Sequence, residues 1–379
     1  MSIRVLHLID HLGYGGAPFV LKNLVERMPA DRIESTVCAL RANPRPLPIG
    51  AQVVTLRSGK YSPAAVGAVA GLCAERGIDI VHAHLQKAFL VGLLSRPRWA
   101  CGLVLHEHGP IFRTGTGCLY RGFLKRFGRR ADAFIANSQA AAIAVRQAMG
   151  EPEVAVTVVP NFIDLERFDP DRYDPCAARA SLGLTADRFA VGFLGRLDRA
   201  KGADLLVDAA ARLPRDERSW CVTLMGDGPE RRRIEGRVRR RGLQGTVALA
   251  GLQEDPAAVM RAFDAAVVPS RREAFGIAAL EWMRMRVPVI VSPVGGLPEL
   301  VRDGETGIML ARPDAEGIAR AVQRLAQDEG LRQTLSRAAF ERAGLFDGAR
   351  AVQQIVEVYE GVMAGRVHGR KGGGHARGT

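Results

Sequence analysis

Short apolar runs recur along the whole chain, at 3–9, 35–40, 52–56, 78–83, 102–105, 133–136 and 154–159, then at 189–194, 221–225, 246–249, 265–268 and 287–291. Most are separated by stretches whose apolar positions keep helical spacing. Runs that are apolar throughout, rather than alternating, mark strands covered on both faces, and the helices between them are the crossovers of a parallel sheet. The pattern predicts an α/β chain of two Rossmann-like domains. The Pro- and Asp-rich stretch 161–186 interrupts the alternation and separates an amino-terminal domain, 1–168, from a carboxy-terminal one, 169–348. A last helix is predicted over 349–364. Residues 365–379, rich in Gly and basic residues, read as a disordered tail.

At 379 residues there is chain enough for two domains, each with its own core. Six cysteines include no CxxC pair, which points to reduced, mostly buried thiols and a cytosolic protein. No stretch approaches the ~18 apolar residues of a spanning helix, and the amino end lacks a basic segment followed by an apolar one. The net charge of +13 favours anionic partners. It does not extend to nucleic acid, because no helix-turn-helix, RNA-binding aromatic motif or zinc module is visible.

Two loops of the first half carry candidate chemistry. His11 to Pro18, with Gly13, Tyr14, Gly15 and Gly16, joins the first strand to a helix from about 19 to 27; it is either a tight turn or a loop that lets a phosphate or sugar approach the backbone. The strand at 102–105 runs into His106-Glu107-His108-Gly109, which puts imidazoles at a strand's carboxyl end, where ligands of this architecture sit. Between 112 and 130, Arg113, Arg121, Lys125, Arg126, Arg129 and Arg130 interleave with Phe112, Tyr120, Phe123 and Phe127 without an acid. On a helix from Leu119, Arg121, Lys125 and Arg129 form one stripe. This fits a helix lying on an anionic membrane at the inner face of the plasma membrane, and equally an ordinary helix with its apolar side on the core.

The second half is denser in signals. Gly195-Arg196 and, five positions on, Lys201 stand at a strand-to-helix junction, where a planar guanidinium and a point charge make a compact diphosphate clamp. Gly226 follows the next strand. Residues 264–304 read as strand, loop, helix, strand. Glu273 lies in the loop ahead of the helix and Glu281 eight positions later, so two acids reach a ligand whose phosphates rest on the N–H groups of Phe275, Gly276 and Ile277. Asp169-Pro170-Asp171 reads as linker, not as metal ligands.

Glu273-x7-Glu281 with Phe275-Gly276, Gly295-Gly296-x-Pro298-Glu299 and Gly195-Arg196-Leu197-x3-Lys201-Gly202 resembles family 4 of the retaining glycosyltransferases. The resemblance covers nearly the whole chain and is strongest from 189 to 310. It implies the GT-B fold, two Rossmann-like domains facing across a cleft, with the helix over 349–364 crossing back onto the first domain. It also implies transfer of a hexose-type sugar from a nucleoside diphosphate sugar to a lipid-linked or saccharide acceptor, in polysaccharide or glycolipid synthesis, with no metal or other cofactor. Residue by residue, it makes Arg196, Lys201, Glu273 and His108 (His106 second) catalytic. Gly15, Gly16, Gly195, Gly226, Phe275, Gly276, Ile277 and Glu281 become donor-binding. The same fold also leaves open a nucleotide-sugar epimerase and, as a different class, a non-catalytic nucleotide-sugar-binding protein; four intact charged residues weigh against the latter.

Overall fold

A computed structural model describes residues 2–13, 15–56, 63–109, 116–150, 155–214 and 220–372. Tyr14, residues 112–115 of the basic aromatic stretch and the tail from 373 to 379 lie outside them. The chain divides into one unit of residues 1–162 and 348–379 and a second of residues 163–347.

The first unit is built on strands β1 (Ile3–Ile9), β2 (Ile33–Ala39), β3 (Gln52–Thr55), β4 (Ile80–His84), β5 (Gly102–Glu107), β6 (Ala133–Ala136) and β7 (Ala155–Val158). All seven are parallel, in the order β3-β2-β1-β4-β5-β6-β7. Helices α1 (Gly16–Glu26), α2 (Ala64–Glu75), α3 (Leu85–Ser95), α4 (Thr116–Phe127) and α5 (Gln139–Met149) connect them. The strands are apolar because both faces are covered. Leu6, Leu8, Val81, Leu103 and Leu105 pack under α2 to α5, while Val5, Ile80, Val104 and Ile135 line the opposite face.

The second unit repeats the plan with α6 (Pro175–Ser181), β8 (Phe189–Leu194), α7 (Ala203–Ala210), β9 (Trp220–Met225), α8 (Arg231–Arg240), β10 (Val247–Gly251), α9 (Pro256–Met260), β11 (Ala265–Val268), α10 (Ile277–Arg284) and β12 (Val289–Val291). It is completed by α11 (Leu297–Leu300), β13 (Ile308–Met309), α12 (Ala315–Gln327) and α13 (Glu329–Ala343). Its six parallel strands are ordered β10-β9-β8-β11-β12-β13. β13 has only two residues, too few for any apolar run to announce it.

Three sequence expectations need correction. The unit boundary falls at 162/163, ahead of the expected 168/169, because Ile163 and Phe168 are buried in the core of the second unit whereas Phe162 is buried in that of the first. The last helix, α14 (Gly348–Gly372), continues beyond 364, so the first part of the expected disordered tail is helical. Its Ala351, Val352, Ile355, Val356 and Tyr359 pack on Val5, Ile80 and Val104, within the first unit.

The third correction concerns α4. Tyr120 and Leu124 are buried in the core of the first unit, and Phe123 and Phe127 pack against that core. The apolar side that a membrane-inserting helix would need is therefore already used. Lys125, Arg126 and Arg129 remain exposed. Among the described residues no helix is long and apolar enough to cross a membrane.

Candidate functional site

In the second unit the loops at the carboxyl ends of β8, β9 and β11 meet backbone to backbone. Gly202, at φ +74°, precedes α7; a Cβ there would lie 2.1 Å from the Pro269 carbonyl oxygen. Gly295, at φ +59°, would carry a Cβ 1.8 Å from the Glu273 carbonyl oxygen. Only glycine allows either approach without displacing the loop that holds the acid. Gly195 and Gly226 join the β8 and β9 loops, the Gly195 N–H donating to the Met225 carbonyl at 3.0 Å and the Gly226 N–H to the Gly251 carbonyl at 2.6 Å.

This packing brings Lys201 onto Glu273. The Lys201 Nζ donates to both carboxylate oxygens, at 2.9 and 2.7 Å, and the Ser270 hydroxyl donates to Glu273 Oε2 at 3.0 Å. The Glu273 side chain keeps 10% of its surface and that of Lys201 33%. The acid is thus held in one orientation by two donors, while the cation retains free directions toward solvent. Ser270 was not singled out from the sequence; a lone Ser-x-x-Glu gives no signal of its own.

Arg196 is presented differently. Its side chain is 70% exposed and, among the described residues, reaches only Asp198, at 3.7 Å, leaving the fork open to an anion. Phe275 is buried and Gly276 is the residue before α10, whose first turn carries the N–H of Ile277. Glu281 lies one turn into that helix. Burial pushes its carboxyl up to about 8, with Arg167 and Lys201 drawing it back only in part. An open guanidinium, a part-buried ammonium, a helix start and two acids make a place for a diphosphate with hydroxyl groups nearby.

In the first unit, Gly15 and Gly16 are exposed at the start of α1, the Phe19 N–H donating to the Gly15 carbonyl at 3.1 Å. His108 follows β5 and is almost enclosed, at 9% exposure, and His106 is deeper, at 2%. Burial depresses both, His108 to about 4 against an upward pull from the Asn161 side chain, so both rings are neutral at physiological pH. His84 Nδ1 and His108 Nε2 share a hydrogen bond of 2.9 Å. Sequence reading missed that His7, His82 and His84 crowd beside them. The signal lay in His-x-His at 82–84 and again at 106–108, a spacing that puts both residues of each pair on one face of a strand.

Glu107, the residue between His106 and His108 in sequence, is fully buried, with one oxygen accepting the Gly109 N–H at 2.9 Å and the other without a partner among the described residues. Burial raises it to about 7 from an ordinary 4.5, the Gly109 and His108 N–H groups offsetting part of the shift. The unfolded chain releases this proton near pH 4.5 and the folded chain holds it until about 7, so stability drains away as pH rises through that window. Glu107→Gln keeps the acceptor for Gly109 and cannot ionise. It is expected to melt with the parent near pH ~5 and to be more stable by about 2–3 kcal/mol at pH ~8. Thermal melts at the two pH values check this, and equal melting at the higher one refutes it.

Sequence profiles of two families match the chain: Glycosyltransferase Family 4 over residues 14–167 and Glycosyl transferases group 1 over 177–342. D-inositol 3-phosphate glycosyltransferase of Actinosynnema mirum is 34% identical over 302 residues, 74% of this chain and 72% of that protein. The protein of the same name from Saccharomonospora viridis is 32% identical over 311 residues, 76% and 70%. Among solved structures, sucrose-phosphate synthase from Thermosynechococcus elongatus has TM-score 0.85 at 26% identity, covering 96% of this chain and 100% of that one. HepE from Anabaena in complex with UDP-glucose has TM-score 0.82 at 26% identity, covering 95% and 100%.

Proposed function

The chain belongs to the group 1 glycosyl transferases, and from that premise we propose that it moves a hexose-type sugar from a nucleoside diphosphate donor to a hydroxyl acceptor with retention of anomeric configuration. The observation that carries this is the Lys201–Glu273–Ser270 cluster, together with the open Arg196 fork in the loop that follows β8. Arg196 and Lys201 neutralise the diphosphate as it departs, and Glu273 holds the transferred sugar. Glu281 binds the ribose, and Gly195, Gly226, Phe275, Gly276 and Ile277 give the backbone on which the donor rests. The bond from anomeric carbon to phosphate oxygen breaks, the acceptor oxygen bonds that carbon on the same face, and the departing oxygen takes the hydroxyl proton. His108 with Gly15 and Gly16 shapes the acceptor side. The complexes of HepE with UDP and UDP-glucose favour a uridine donor.

Two acceptors are in view. The names of the relatives at 32–34% identity favour a phosphorylated cyclitol. The exposed cations of α4 favour a saccharide or lipid held at an anionic surface, as in polysaccharide or glycolipid synthesis. Incubation with UDP- and GDP-sugars, following nucleotide release with D-inositol 3-phosphate, with a lipid-linked saccharide and with neither, tests the proposal. Acceptor-dependent release supports transfer, whereas release or sugar interconversion without any acceptor overturns it in favour of epimerase chemistry.

Docking on a membrane would now rest on charge alone, since the apolar side of α4 is in the core. With ~1 kcal/mol per well-placed basic residue, replacing Arg121, Lys125 and Arg129 by Ser is expected to cut sedimentation with anionic vesicles at low salt at least tenfold. Sedimentation unchanged by the triple substitution removes the membrane contact.

A further inference from the structure

Five of the chain's eight histidines, His7, His82, His84, His106 and His108, lie buried side by side on neighbouring strands of the first unit. β1 and β4 pair His7 with His82, and β4 and β5 pair His84 with His106. Strand alternation then puts all of the paired rings on the sheet face that α14 covers. Neighbouring rings have centroids 3.9 to 5.6 Å apart. A buried neutral imidazole must place one N–H and one lone pair, and the cluster does not satisfy all of them. His82 Nε2 and both nitrogens of His106 have no hydrogen-bond partner among the described residues. A buried polar atom without a partner loses its hydrogen bonds to water and gains none in return, a penalty that an apolar core would avoid.

We propose that His7, His82 and His84 form a site for a late first-row transition-metal cation of the zinc class. One nitrogen from each of the three rings lies within 4.8 Å of the others. With Zn–N bonds of about 2.0–2.1 Å and tetrahedral angles, two ligand nitrogens stand ~3.4 Å apart. His7 Nδ1 and His84 Nε2 are already 3.2 Å apart. The remaining nitrogen of each ring has a partner suited to hold the ligand tautomer. Ser35 Oγ lies 3.4 Å from His7 Nε2, Tyr359 Oη 2.6 Å from His82 Nδ1, and His108 Nε2 2.9 Å from His84 Nδ1. Hydrogen bonds of this kind on the far nitrogen orient metal-bound imidazoles and fix which nitrogen is free. In the metal-bound state His82 Nε2, the orphan, becomes a ligand, and His82 Nδ1–H donates to Tyr359.

The second trio, His84, His106 and His108, also has nitrogens within 4.8 Å, but none of the described residues holds the far nitrogen of His106. Three imidazoles without a carboxylate select zinc, cobalt, nickel or copper over magnesium and calcium, and they leave the fourth tetrahedral position to water or hydroxide. The metal has two consequences. It ties β1 and β4 to α14 through Tyr359. It also fixes the proton of His84 on Nδ1, which makes His108 Nε2 an acceptor and leaves the His108 proton on Nδ1.

The test uses the full chain freed of metal by dialysis against a chelator, with Zn²⁺ and then Co²⁺ as probes. One Zn²⁺ per chain is expected to survive gel filtration and to raise the melting temperature, and Co²⁺ should give the visible ligand-field absorption of a tetrahedral site. His82→Gln is expected to weaken binding more than tenfold, and Tyr359→Phe, which keeps the packing volume and loses the hydroxyl, ten- to a hundredfold. His106→Gln should leave both signals in place. The proposal is overturned if the parent chain retains no metal, if His82→Gln and Tyr359→Phe bind as the parent does, or if His106→Gln alone abolishes binding. Because donor binding rests on the other unit, nucleotide affinity measured on the same metal-free sample separates failure of this site from failure of the proposed reaction.

Discussion

Arg196→Ala is expected to lower the rate of sugar transfer at least ~10²-fold while the chain stays folded, because a fixed cation aimed at the charge growing on a leaving diphosphate contributes a few kcal/mol to the transition state. The structure makes this a clean experiment. The Arg196 guanidinium is largely exposed and, among the described residues, pairs only with Asp198 at 3.7 Å, so its removal should change stability within about 0.5 kcal/mol. Lys201→Ala should cost as much in rate and more in stability. It strips the ammonium from a Glu273 carboxylate that keeps only 10% of its surface, leaving Ser270 as the acid's remaining donor. Single-turnover rates beside thermal melts make the comparison. A tenfold or smaller loss in Arg196→Ala would mean that something else carries the leaving-group charge. The same argument predicts transfer without Mg²⁺ or Mn²⁺. Activity lost to EDTA and restored by either ion, but not by Zn²⁺, would place a metal on the diphosphate and overturn the two-cation mechanism.

The second large effect separates the two acids. Glu273→Ala is expected to lower kcat about 10²-fold with UDP affinity nearly unchanged, since its carboxylate is assigned to the transferred sugar and not to the nucleotide. Glu281→Ala should instead weaken UDP binding ten- to a hundredfold, the loss of a charge-assisted pair of bonds to ribose hydroxyls at about 1.5–3 kcal/mol. The pH dependence gives a further signature. Burial raises the Glu281 carboxyl to about 8, so it is mostly protonated at pH ~7 and becomes a better hydroxyl acceptor as pH rises through about 8. UDP affinity of the parent should therefore increase between pH ~7 and pH ~9, and that increase should vanish in Glu281→Gln. If both alanine variants lose UDP affinity equally with turnover per bound donor intact, the division of labour is wrong. The ion pair supplies a second check: the rate effects of Lys201→Ala and Glu273→Ala should not add, as expected for residues that act as one unit.

The first unit shows how unevenly a chain writes its structure. Its strands were legible to within a few residues, since a strand covered on both faces must be apolar along its length and Pro, Gly and Asp mark its ends. The His108 loop was legible from its place after β5. The crowding of His7, His82 and His84 was not, because it depends on β4 lying between β1 and β5, and strand order leaves no mark on any one segment. The two readings of α4 had the same sequence signature. The choice between them was made by the sheet that buries Tyr120 and Leu124.

What the sequence alone determined is whatever depends on neighbours along the chain: the alternation of strands and helices, the two Rossmann-like halves, and the order of Gly195, Arg196, Lys201 and Glu273 in strand-end loops, with Glu281 on the helix that follows. Periodicity and turn chemistry are local, so they survive in one dimension. Only the tertiary structure decided that Lys201 bonds both oxygens of Glu273 with Ser270 behind them, that Glu107 is sealed from water, and that five imidazoles share one face of a sheet. Those facts are distances and dielectric surroundings between residues far apart in sequence. They are set by strand order, by register and by the glycines that let two loops touch, and no local pattern encodes them.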